Sequence, residues 1–125
     1  MLYKDILLID DDADDAEIFA EALSSLKKEV VLRTENNPVK ALEEVKVSEK
    51  LPDLIFLDYN MPSMNGHEVL AKIKNEKKLQ DIAVIMISSP AKDFIGDLLQ
   101  KNQIVNYIRK PNSFCELVSI LGTIL

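Results

Sequence analysis

The chain of 125 residues holds one cysteine, Cys115, so no internal disulfide can form. A chain of this length buries a real core without disulfides or a structural metal, and scarce cysteine fits a reducing compartment. There is one histidine, His67, and only three glycines. No Gly-rich phosphate loop and no GKS or GKT triplet is present, which argues against a P-loop nucleotide site. An excess of basic residues is also missing. The net charge is −6, the opposite of the basic footprint of a general nucleic-acid binder. No apolar run approaches the ~20 residues that span a bilayer. The N-terminal stretch MLYKDILLIDDD lacks a secretory core, because acids interrupt it after four apolar residues. These absences predict a cytoplasmic protein of one domain. The 47% apolar and 29% charged residues are ordinary for a globular fold.

What is present is a repeated alternation. Ile6–Ile9, Leu54–Leu57 and Ala83–Ile87 are short apolar runs, the mark of strands buried on both faces. Val30–Leu32 and Ile104–Ile108 read as two more strands. Between them lie segments of helical spacing. The first carries Ala16, Phe19, Ala22, Leu23 and Leu26, with acids at its start and Lys27 and Lys28 at its end. The second opens at Pro38 and carries Val39, Leu42 and Val45. The third begins near Gly66 with Val69, Leu70 and Ile73. A fourth is predicted from Pro90 to Lys101 with Phe94, Ile95, Leu98 and Leu99 inward, and a fifth over Ser113–Leu125. Five strands alternating with five helices predict an α/β fold with a parallel sheet covered on both faces. Ligands in such folds sit beyond the carboxyl ends of the strands.

The residues that follow each strand therefore matter most. They are Asp10 and Asp11 after the first, Asp58 after the third, Ser88 after the fourth and Lys110 after the fifth. At an effective dielectric of ~20, two like charges about 4 Å apart repel by roughly 4 kcal/mol. A hard divalent cation such as Mg²⁺ relieves that crowding, typically through one or two carboxylates and the oxygens of a phosphate. A lysine supplies a point charge for a phosphoryl oxygen, and a serine hydroxyl can donate to another. An aspartate can itself be the nucleophile and form an aspartyl phosphate. Asp58 is the natural choice, alone at a central strand end with Met61-Pro62 and Asn65-Gly66 shaping an open loop behind it.

Four blocks in order, ILLIDDD, LIFLDYNMPSMNG, VIMISS and YIRKP, make the chain resemble a response-regulator receiver domain of two-component signalling, of the single-domain, CheY-like kind. The resemblance spans essentially residues 1–125 and leaves no effector domain. Its spacings also match the family, 30 residues from Asp58 to Ser88 and 22 from Ser88 to Lys110. It implies a (βα)5 flavodoxin-like sheet of order 2-1-3-4-5. It implies that Asp58 accepts the phosphoryl group, that Asp11 binds Mg²⁺ directly (Mn²⁺ being a possible substitute), and that Asp10 acts beside it through metal-bound water. Asp58 and the backbone carbonyl of Asn60 would complete the metal site. Ser88 would be the switch hydroxyl, Tyr107 the switch aromatic, and Lys110 the lysine that meets the phosphoryl group, with a cis Lys110–Pro111 bond. The partners implied are a sensor histidine kinase or histidine phosphotransfer protein and a downstream protein. A homodimer through the fourth helix, fifth strand and fifth helix is an open option. Neither nucleic-acid contact nor membrane insertion is implied.

Other residues receive plainer expectations. Asp12 is a third acid where two are needed and is expected in the outer shell of the metal. Asp14 and Asp15 suit a negatively charged first helical turn. Cys115 reads as a packing residue of the last helix, and His67 as a solvent-facing residue in the loop before the third. Ile120, Leu121, Ile124 and Leu125 suit either core or a dimer face. Pro90, two residues past Ser88, has no polar side chain to position water, so autodephosphorylation is not expected to be assisted there. Asp10 and Asp12 also form a D-x-D pair like that of haloacid-dehalogenase-type phosphatases. That family wants Thr or Val where this chain has Asp14, and a cap insertion for which there is no room.

Overall fold

In a computed structural model of the protein, described for residues 3–61, 64–88 and 95–125, with the side chain of Ile95 excepted, strands and helices alternate throughout. The order is β1 (Asp5–Ile9), α1 (Ala13–Ser25), β2 (Val31–Glu35), α2 (Pro38–Val47), β3 (Leu54–Asp58), α3 (Gly66–Asn75), β4 (Ala83–Ser88), α4 (Ile95–Gln100), β5 (Asn106–Arg109) and α5 (Phe114–Ile124). The five strands form one parallel sheet of order β2-β1-β3-β4-β5. All their carboxyl ends therefore reach one edge, as the alternation predicts.

Side-chain alternation along the strands builds two cores. Leu7, Ile9, Ile55, Leu57, Val84 and Met86 point to one face and pack with Leu42 and Val45 of α2, Val69 and Ile73 of α3 and Leu98 of α4. Ile6, Leu8, Phe56, Ile85, Ile87 and Ile108 point to the other, against Phe19 and Leu23 of α1 and Leu117 and Leu121 of α5. Phe19 meets Phe56 edge to face, with ring centroids 4.9 Å apart. A one-residue slip of any central strand would exchange the two faces. Doubly buried strands make the register of the sheet, and hence the position of each strand end, a consequence of core packing.

Several helix starts are fixed by side-chain caps. Asn37 accepts from the Val39 and Lys40 amides ahead of Pro38, Ser113 from the Glu116 amide, and Asn65 forms a capping box with Glu68. The caps place each helix within a few residues of a strand end. Gly66, just after Asn65, is where α3 crosses the backbone that leaves β3. A Cβ there would lie 2.7 Å from the Tyr59 Cα and 3.2 Å from the Asp58 carbonyl oxygen. Gly66→Ala is therefore expected to destabilise the protein by about 1–3 kcal/mol, an overpacking cost that outweighs the ~0.5–1 kcal/mol helix preference of alanine. Urea unfolding of the two proteins measures this, and equal midpoints would contradict it.

Some boundaries differ from those the sequence predicts. The second strand runs on through Arg33, Thr34 and Glu35, because β2 is an edge strand with no fully buried residue and so tolerates polar side chains. β5 starts at Asn106 rather than Ile104, although the Val105 amide already donates to the Val84 carbonyl at 2.9 Å. Of the predicted fourth helix, Ile95–Gln100 is helical; Pro90 and Phe94, with the role given to Pro90, lie outside the described residues. Within α4, Leu99 is exposed while Leu98 is buried. Cys115 is exposed rather than packed, because α5 turns Leu117 and Leu121 inward and Cys115 stands two residues, or about 200°, away from Leu117. His67 is exposed, as expected, but lies within α3. Leu121 is fully buried, and the half-buried Ile120, Ile124 and Leu125 pack against the same core. No described helix is long and apolar enough to cross a membrane.

Candidate functional site

Backbone ladder bonds continue past the strand ends and hold the site residues in place. The Asp10 amide donates to the Glu35 carbonyl at 3.1 Å, the Tyr59 amide to Ile87 at 2.8 Å, and the Lys110 amide to Ser88 at 2.8 Å. The residues Asp10, Asp58 and Ser88 are thereby delivered to the edge while buried, at 7%, 1% and 0% exposure. The expected juxtaposition is present. Asp10, Asp11 and Asp58 each offer a carboxylate oxygen, and these atoms all lie within 4.8 Å of one another. Lys110 Nζ stands 3.4 Å from Asp58 Oδ1. The same Asp58 oxygen accepts from the Asn60 amide at 3.1 Å, which tightens the turn after β3. Ser88 Oγ and Tyr107 Oη share a hydrogen bond of 3.0 Å.

The electrostatics are those of a carboxylate cluster with too little cation. Asp10 is pushed up to about 7, first by loss of solvent and then by the charge of Asp58, although the Asp12 amide and Lys110 pull the other way. Asp11 is raised by burial, then by Asp58 and Asp12. Burial alone would lower Lys110, but the charges of Asp58, Asp10 and Asp15 outweigh it and leave the ammonium raised. The sign for Asp10 is definite. Its folded pKa lies above the unfolded value, so between about 4 and 7 the native state holds more protons. Its contribution to stability is therefore full below about pH 4 and is lost as pH rises through about 7. Asp10→Asn keeps an oxygen for the Asp12 amide, which donates to Asp10 Oδ1 at 3.0 Å. In metal-free buffer this variant is expected to gain stability over wild type from pH 5 to pH 8. Urea titrations at both values test it; a constant difference between the two proteins would contradict it.

Asp12 is the N-cap of α1, and its Oδ1 accepts from the Asp14 and Asp15 amides at 2.9 and 3.2 Å, because the first turn needs an acceptor for its open N–H groups. One expectation is corrected. The Lys110–Pro111 bond is trans, since no described peptide bond is cis. The trans preference before proline is only ~0.5–1 kcal/mol, and Lys110 reaches Asp58 with the trans bond. One residue was missed. Asp15, expected only to charge the first turn of α1, places Oδ2 3.5 Å from Lys110 Nζ. The sequence carries no local signal for this contact.

A doubly wound parallel sheet with buried carboxylates and a lysine at its carboxyl edge defines the class of the protein. The chain belongs to the response regulator receiver domain family, whose model matches residues 6–122. A chemotaxis protein CheY homolog of Campylobacter jejuni is 33% identical over 106 residues, which are 85% of this chain and 80% of that protein. Among solved structures, the phosphorylated cyanobacterial phytochrome response regulator RcpA superposes with a TM-score of 0.84 at 27% identity, over 98% of this chain and 91% of that one. The Mn²⁺-bound form of response regulator Rcp1 gives 0.81 at 25% identity, over 97% and 91%.

Proposed function

We propose that the chain is a response-regulator receiver that accepts a phosphoryl group on Asp58 in a Mg²⁺-dependent reaction and signals through phosphorylation-dependent protein binding. The observation that carries this reading is the buried Asp58 carboxylate, held beside Lys110 and within ligand reach of Asp10 and Asp11. The donor set fits a hard divalent cation, because three carboxylates offer oxygens from one small region and burial, with the charge of Asp58, pushes one of them, Asp10, up to about 7. Asp10, Asp11, Asp58 and the Asn60 carbonyl would hold Mg²⁺, or Mn²⁺ in its place. When bound, the metal supplies positive charge against the carboxylates and the phosphoryl oxygens.

The chain's own residues do the rest. An Asp58 oxygen attacks phosphorus in line. The bond from phosphorus to the donor's imidazole nitrogen breaks, and the imidazole leaves with the electron pair. Lys110 balances charge on the transferred group. The product carries ~−1.5 to −2 of charge. Ser88 turns toward it, exchanging its hydrogen bond with Tyr107 for one to phosphoryl, and Tyr107 moves into the space vacated. That biases an existing equilibrium of the α4, β5 and α5 surface, where Leu99 and Val105 are exposed. A partner protein or a second copy docks there. The donor is a sensor histidine kinase or a histidine phosphotransfer protein in the cytoplasm.

Incubation with acetyl phosphate and Mg²⁺ tests the reading. Intact-mass spectrometry should show a gain of one phosphoryl group. No gain would leave a binding module, and turnover of phosphate esters dependent on Asp10 would favour a hydrolase.

A further inference from the structure

Lys110 meets two carboxylates. Its Nζ lies 3.4 Å from Asp58 Oδ1 and 3.5 Å from Asp15 Oδ2. The two carboxylates differ in setting. The Asp58 side chain is 2% exposed and fixed at the end of β3, whereas that of Asp15 is 44% exposed and stands on the first turn of α1. Both Lys110 and Asp15 border a cleft of about 320 Å³ between α1 and α5, floored by Phe19, Ile87 and Ile108.

Resting on the phosphorylation of Asp58, we propose that Asp15 is a positioning residue that shares the Lys110 ammonium with Asp58 and thereby favours the unmodified state of the site. In that state Lys110 is bracketed by two single negative charges. A phosphoryl group on Asp58 brings nearly two charges to the same ammonium, and to recruit it fully the group must draw it from Asp15. The carboxylate of Asp15 then faces a phosphoryl group of like sign with a weakened cation between them. Both effects act in one direction and hold down the extent of modification at a given donor concentration. The position of Asp15 is itself a product of the fold. Asp12, as N-cap, starts α1 at Ala13, which brings residue 15 within reach of the end of β5.

The test is a double-mutant cycle of Asp15→Asn and Lys110→Met. At low ionic strength, with Mg²⁺ and subsaturating acetyl phosphate, Asp15→Asn should raise the ratio of modified to unmodified Asp58 about two- to fivefold, the range of a partly exposed ion pair. Asp15→Glu should restore the wild-type ratio. In the Lys110→Met background, Asp15→Asn should change the ratio less than about 1.5-fold. A second readout needs neither metal nor modification. In EDTA, Asp15→Asn should lower the folded-to-unfolded ratio about two- to fivefold with Lys110 present and leave it unchanged with Lys110→Met. An unchanged or lowered modification ratio in Asp15→Asn would overturn the proposal. So would an effect that persists in the Lys110→Met background, since Asp15 would then act as bulk charge. Wild type that takes up no phosphoryl group would instead sink the reading of Asp58, while wild type modified to the same extent as Asp15→Asn would sink only the role of Asp15.

Discussion

Removal of divalent cations with excess EDTA is expected to reduce modification of Asp58 by acetyl phosphate at least a hundredfold. Three carboxylates with oxygens within 4.8 Å of one another face an incoming dianion, and among the described residues Lys110 is the cation placed against Asp58. Each unscreened contact of like charge at about 4 Å opposes the reaction by roughly 4 kcal/mol at an effective dielectric of ~20. Every ~1.4 kcal/mol left uncompensated in the transition state slows the step tenfold, so loss of the metal's charge from even one such contact is worth two or more powers of ten. A pH dependence accompanies this. Protons compete with the cation for Asp10, which in the metal-free site holds its proton up to about pH 7. The Mg²⁺ needed for half-maximal modification should therefore fall as pH rises from 6 to 8, and Asp10→Asn should flatten that trend. Time courses by intact mass at several Mg²⁺ concentrations check both statements. Equal rates with and without EDTA would refute the metal requirement.

Substitution of Asp58, the proposed acceptor, gives the second large effect. Asp58→Asn should take up no phosphoryl group at all, because the amide lacks the anionic oxygen that attacks phosphorus. The variant should nevertheless fold. Asparagine has the same shape, and its oxygen can still accept the Asn60 amide that Asp58 Oδ1 accepts at 3.1 Å. Removing one partner of a buried ion pair usually costs stability. Here the remaining carboxylates reverse the expectation, since Asp15 lies 3.5 Å from the Lys110 ammonium and Asp10 loses a like charge beside it. In EDTA at pH 8, Asp58→Asn should be at least as stable as wild type in urea, and modification should be absent in the same preparation. Persistent phosphorylation of the variant would move the acceptor to another residue. A large loss of stability would mean that the Asp58 charge is needed to hold the edge together.

Much of this was legible in the chain. Apolar runs such as Ile6–Ile9 and Leu54–Leu57 encode buried strands because only a strand covered on both faces can be apolar at every position. Parallel pairing then carries Asp10, Asp58, Ser88 and Lys110 to one edge, however far apart they are in sequence. The same logic weakens at the sheet margin. β2 continues through Arg33, Thr34 and Glu35, where partial exposure at the sheet edge removes the requirement for apolar residues. In α5, Cys115 and Leu117 look alike as apolar residues of one helix, but the helical phase turns Leu117 in and Cys115 out.

The acids of ILLIDDDADD divide along that line. The sequence by itself determined that Asp10 and Asp11 end a buried strand and face Asp58, because strand burial and parallel topology leave those residues no other edge to occupy. It marked Asp14 and Asp15 for a first helical turn, but it showed neither that Asp12 caps that turn nor that Asp15 meets Lys110. Tertiary structure decided their roles through the start of a single helix. Asp12 turns back to cap the Asp14 and Asp15 amides, Asp14 is left exposed, and Asp15 is carried round to Lys110. The contact joins residues 15 and 110 across the sheet edge, and no local pattern in the sequence records a distance of that kind.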